Sequence, residues 1–240
     1  MKHPMASLKE AKDYLSGLST ALDTQLDEAH RRALDDLLIS VDQFFNVAAT
    51  INMQALDDHF INDSEATEIG AHGFILLLKL IDLMNKLDLP HKRKEIEQIS
   101  LIFARWTIRY NGRIKHLEPI VNACAQLANI LQDKEALKTL FNLMTEIADS
   151  CTEEIKQDLE AHNNMRPWRL LHINRGIVAT RTHDPDIMKA AFNELLMYLP
   201  HEAGGFFAEG MKEMEALNYP AHVRTLMELY HLQKPGISLH

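Results

Sequence analysis

The chain has little of what builds sheets, cysteine metal cages or membrane spans. Valine is scarce and no run of alternating β-branched residues occurs, so no strand can be placed. Glycine and proline are few, 9 and 8 in 240 residues, against many Leu, Ala, Glu, Lys and Met, a composition that predicts helices. The two cysteines, Cys124 and Cys151, have neither metal-ligand nor redox spacing and are expected as buried thiols in a reducing compartment. The longest apolar run, Phe74 to Leu78, is soon followed by Lys79 and Asp82, far short of the ~20 residues a membrane span needs. The opening MKHPMASLKEAKDYL has no apolar h-region, so no secretory signal is expected. Together these absences predict a cytoplasmic protein without membrane insertion.

Positive charge is also in deficit. The net charge of −9 disfavours binding to phosphate backbones unless the charge is segregated. Apolar content of 46% with 25% charged residues is that of a globular protein with enough core to fold unaided. The length suits one all-helical domain over 1–240, with a subdivision into an irregular half, 1–112, and a regular half, 113–240.

What is present is a beat of about seventeen residues. Asp133, Ser150, Pro167, Asp184, His201 and Asn218 each open a stretch of helix-spaced apolar residues. Asp133 and Asp184 are good N-caps, Pro185 follows where a helix tolerates proline, and Ser150 with Glu153 fits a capping box. The helix from Ser150 is the weakest, with Ile155 and Leu159 nearly alone among charges. Upstream, Ser7 to Leu18 reads as a short helix. A long acidic amphipathic stretch follows from Ala21, with Leu22, Leu26, Leu37, Val41, Phe44 and Phe45 opposite Asp23, Asp27, Asp35 and Asp42, and a break expected near Arg31-Arg32. Leu56, Phe60 and Ile61 suggest a further turn. From Ser64 to Leu87 apolar residues lie on nearly all sides, predicting a central helix in which Gly70 and Gly73 mark close packing. Lys92 to Arg109 and Ile114 to Leu131 complete the series.

The pairs 167–200 and 201–234 each fill a unit of about 34 residues, the length of the tetratricopeptide repeat. Gly176, Met188, Phe192 and Pro200 fall at that family's small, small, aromatic and proline positions, with His172 where tryptophan is usual. Residues 133–234 therefore resemble tetratricopeptide-type repeats. The resemblance implies helical hairpins stacked as a right-handed superhelix, with a compact multi-helix bundle as the alternative, and it implies that Asn174 hydrogen-bonds a bound peptide backbone.

For chemistry the residues offer little. Asp27/His30, Asp88/His91 and Glu228/His231 have the i, i+3 spacing of carboxylate-bridged metal bundles, but chance produces as many. Glu68 and His72, one turn apart on the most apolar helix, suggest a buried histidine with its partner. Gly204-Gly205 and Gly210 lack the strand and the Gly-Lys-Ser/Thr of a phosphate loop. No cofactor is implied. Charge segregation is the clearest anomaly. Ala161 to His183 holds no acid but has Arg166, Arg169, Arg175 and Arg181. His91 to His116 is rich in Lys and Arg, and each segment contains one tryptophan. Arg and Trp are enriched at binding hot spots. The expected function is therefore a non-catalytic module, self-association allowed, that binds an acidic peptide or protein through Arg105, Trp106, Arg109, Arg166, Trp168, Arg169, His172, Asn174 and Arg175. Two alternatives stand beside it. In one, the basic faces neutralise the acidic N-terminal helix within the molecule. In the other, an all-α metal or cofactor enzyme uses a buried His/Glu site built from Glu68, His72, Glu228 or His231.

Overall fold

The computed structural model describes residues 7–54, 61–160 and 162–232. It is all-α: twelve helices are described, and the one β feature among these residues is an isolated bridge between Ile114 and Cys151. No helix among the described residues is long and apolar enough to cross a membrane. The chain divides into two compact units, Met1–Ala123 with Asp149–Gln157, and Cys124–Ala148 with Asp158–His240.

The first unit begins with α1 (Leu8–Ser16), opened by a capping box between Ser7 and Glu10. Gly17 ends it, α2 (Leu18–Leu22) and a 3-10 turn follow, and α3 spans Glu28–Gln54. The break therefore falls at Leu26, which is extended, and not at Arg31-Arg32. Asp27 accepts from the His30 amide at 2.8 Å, and Arg31 reaches back to the Asp23 carbonyl at 2.7 Å, so the new helix is capped and its arginine ties down the old one. The expected turn at Leu56 and Phe60 lies outside the described residues.

Asn62 and Glu65 form the capping box of α4 (Asp63–Lys86), which pairs with α5 (Pro90–Arg109). Both α4 glycines are explained by this packing. A Cβ on Gly70 would strike Thr107, and one on Gly73 would lie 2.6 Å from the Phe44 ring and 2.9 Å from Phe103. Phe44, Phe45, Phe74, Phe103 and Trp106 then join edge-to-face, for example Phe45–Phe103 at 5.5 Å and 79°. The bridge closes the unit: Ile114 N donates to Ser150 O at 2.8 Å, and Thr152 N to Ile114 O at 3.1 Å. Helices α6 (Glu118–Ile130) and α7 (Lys134–Ser150) follow, the latter capped by Asp133.

The weak helix expected from Ser150 is a single turn, α8 (Glu153–Lys156), and the expected Ser150–Glu153 capping box is corrected: Ser150 is the last residue of α7 and Thr152 stands at the N-cap. Cys151 is held in the bridge, Asp158 turns left-handed at φ 48°, and Leu159 is 80% exposed. With no apolar stripe to bury, nothing sustains the helix.

In the second unit α9 (Pro167–Thr182) and α10 (Pro185–Tyr198) form a hairpin, joined by a left-handed His183 and the Asp184 N-cap. A second hairpin, α11 (Pro200–Ala216) and α12 (Ala221–Leu232), follows one residue later. Proline at the first helical position starts α9, α10 and α11, where its missing N–H is no loss. Phe192, Phe207 and Tyr230 form the aromatic centre, with Phe192–Phe207 centroids 5.1 Å apart. Gly176 and Gly210 match in register, yet they face different neighbours, Phe206 of the next hairpin and Met227 of the same one.

Candidate functional site

Helix α9 and its N-cap, Arg166, hold three of the five arginines expected at a binding surface, and α9 is buried on several sides. Arg166 is 3% exposed. Its Nε donates to both oxygens of Asp158 at 2.7 and 2.8 Å, and its Nη2 donates to Glu202 at 2.5 Å. Arg175 is 1% exposed, forked on the Glu194 carboxylate, with Nη2 also donating to Thr145 Oγ1 at 3.0 Å. The aromatic ring of Phe141 lies 5.2 Å from its guanidinium. Arg181 donates to two carbonyls at the end of α6, those of Ala128 and Leu131, where a cation suits the helix dipole.

Trp168 and His172 are in the core. Their rings meet at 4.4 Å and 77°, and Tyr198 covers His172 at 4.9 Å. Burial, and then the neighbouring Arg175 charge, pushes the His172 pKa down to about 3, so the ring is neutral. Arg169 is half-buried, donating to the Asn164 carbonyl at 3.0 Å and lying 3.9 Å from Glu202. Asn174 is half-buried. The expectation of a continuous basic face on α9 is therefore corrected: Arg166, Trp168, His172 and Arg175 are interior residues. The acid-free segment is neutralised within its own unit, by Asp158, Glu194 and Glu202 on other elements.

Arg105, Trp106 and Arg109 are brought together. Arg105 and Arg109 are exposed one turn apart on α5, and Trp106 is 4% exposed between them, 5.2 Å from the Tyr110 ring. All three line one cleft of about 640 Å³ between α1, α3 and α5. Its floor is apolar, with Phe45 and Ile102 buried there; Leu8, Ala49 and Met53 flank it, and its rim adds Lys9 and Lys12 of α1. Among the described residues no carboxylate lines it. Lys12 is engaged just outside by Asp42 at 2.8 Å and Asn46 at 2.7 Å, and its hydrogen bond holds the Asp42 carboxyl below its ordinary range. Among the described residues Lys9, Arg105 and Arg109 have no ion pair. Lys9 and Lys12 are not legible as site residues in the sequence, because nothing in a short helix ninety-odd residues upstream marks it as the wall of an α5 cleft.

The metal candidates are not brought together. Glu68 and His72 are exposed, with Glu68 paired to Lys115 at 2.6 Å, and Glu228 and His231 are exposed on α12. The expected buried His/Glu pair on α4 is thus a surface pair, because α4 keeps a narrow exposed stripe through Glu68, His72, Ile75 and Lys79. No group of three His, Cys, Asp or Glu among the described residues is placed to hold a metal ion. Comparison with family models, characterised proteins and solved structures finds no match to this chain.

Proposed function

We propose that the chain is a non-catalytic interaction module that binds an acidic, partly apolar peptide segment of a partner protein in the α1–α3–α5 cleft. One observation supports this above the others: four cationic side chains ring an apolar floor, and no carboxylate among the described residues lines it. Apolar side chains of the peptide would occupy the space over Phe45, Met53 and Trp106, while its carboxylates meet Arg105, Arg109 and Lys9. Paired arginines one turn apart suit carboxylates, because the planar guanidinium donates to both carboxylate oxygens through a fork of N–H groups. Attraction between exposed charges steers encounter and weakens with salt, whereas the apolar floor contributes affinity that salt does not remove.

The test is titration of a labelled peptide of leucine and glutamate, with a leucine/lysine peptide as control. The acidic peptide should bind, with affinity falling as salt rises, and Arg105→Glu/Arg109→Glu should weaken it about tenfold or more. Both residues are exposed, so the double variant should unfold like the parent. Unchanged binding by the double variant would remove this cleft from consideration.

A further inference from the structure

A second cleft, of about 690 Å³, lies wholly within the other unit, between α9 and α11. Its walls are Ile173 and Ile177 on one side and Phe206 on the other, with Met214 and Met227 beneath. Ile177 is 43% exposed, so the wall presents apolar surface to solvent. Its charge is opposite in kind to that of the α1–α3–α5 cleft. The cations that line it are already used: Arg181 by the α6 carbonyls, Arg169 by the Asn164 carbonyl. Glu209 and Glu213, exposed one turn apart on α11, have no ion pair among the described residues.

Gly205 leaves the α11 side of the cleft open. Glycine inside a helix is destabilising relative to alanine, so it usually answers a close neighbour. Gly70, Gly73, Gly176 and Gly210 each have one, since an added Cβ would strike a named side chain. At Gly204 and Gly205 an added Cβ would meet nothing within 4 Å, and of the two only Gly205 lines the cleft. No described group of this chain fills the space at Gly205, so the backbone of a helix laid in the cleft could approach α11 closely there.

We propose that the α9–α11 cleft docks a basic amphipathic helix of a partner protein. Its apolar stripe lies against Ile173, Ile177 and Phe206, its backbone crosses at Gly205, and its lysines or arginines face Glu209 and Glu213. Helix-in-groove docking of this kind is read through anchors at i, i+3, i+4 and i+7.

The experiment uses the full chain and a labelled helical peptide of leucine and lysine, with a scrambled peptide of the same composition as control. Gly204 supplies the matched variant, because it too has open space but does not line the cleft. Gly204→Leu and Gly205→Leu should both fold at least as stably as the parent. Gly204→Leu should bind like the parent, whereas Gly205→Leu, and separately Glu209→Lys/Glu213→Lys, should bind about tenfold more weakly. Equal affinity for the two leucine variants, or equal binding of the scrambled peptide, would overturn the proposal. So would a dimer of the parent that Gly205→Leu dissociates, which would assign the cleft to a second copy.

Discussion

Arg175 of α9 and Glu194 of α10 are joined inside their hairpin by a two-pronged ion pair, with Nη2 and Oε1 3.1 Å apart and the arginine 1% exposed. The pair explains why a helix with no acidic residue can be buried at all. Removing one partner from such a site leaves an uncompensated buried charge. Glu194→Gln should therefore destabilise the protein by about 3 kcal/mol, whereas Arg175→Met/Glu194→Leu should recover most of the loss. Urea denaturation of the three proteins measures both.

His172 makes stability depend on pH in one direction. Its folded pKa lies near 3, below the ordinary 6.5, so the unfolded chain binds the proton first as pH falls. Stability is thus unaffected above about pH 6.5 and is lost as pH drops from there toward 3, by up to about 1.4 kcal/mol per pH unit. His172→Phe keeps ring contacts to Trp168 and Tyr198 and should flatten that part of the curve. The comparison is cleanest between pH 5 and 7, above the ordinary carboxylate range. Parallel curves for the two proteins would contradict the assignment.

Two glycines should respond to alanine with opposite signs. Gly73→Ala pushes a methyl into Phe44 and Phe103 and should destabilise by about 1–3 kcal/mol despite the better helix former. Gly204→Ala meets nothing within 4 Å and should stabilise by up to about 1 kcal/mol. Thermal or urea unfolding reads both.

The cysteines should be inert in the folded protein. Cys124 and Cys151 are both fully buried, and burial pushes the Cys151 thiol up to about 12. A thiol reagent at neutral pH should label neither within the time it takes to label both in denaturant, as counted by mass spectrometry.

What the sequence made legible was local. Asp133, Asp184 and the prolines at 167, 185 and 200 mark helix starts through chemistry confined to one turn, and all of them stand where expected. Gly70 and Gly73 also announced their packing, since two glycines in an apolar helix have few other reasons to persist. The site was not legible on α9, because the acids that consume its arginines sit 8, 19 and 36 residues away and meet them only in the folded chain. An acid-free run looks like a basic surface until its partners are placed. The same limit misplaced the histidines: His72 has apolar neighbours in sequence but lies on the exposed stripe of α4, whereas His172, among arginines, is buried. Only the α5 segment kept its expected role as a candidate, because Arg105 and Arg109 point away from the core that takes Trp106.

The most direct measurement of the α1–α3–α5 binding site uses the chain's two tryptophans as reporters. Trp106 lines that cleft, and Trp168 is in the core of the other unit. Leucine/glutamate peptide titrated into Trp168→Phe, which leaves Trp106 as the sole indole, should shift the fluorescence with the same affinity as binding to the parent. The same titration of Trp106→Phe should leave the emission unchanged. A peptide-dependent signal carried by Trp168 alone, with Trp106 silent, would contradict the proposed site.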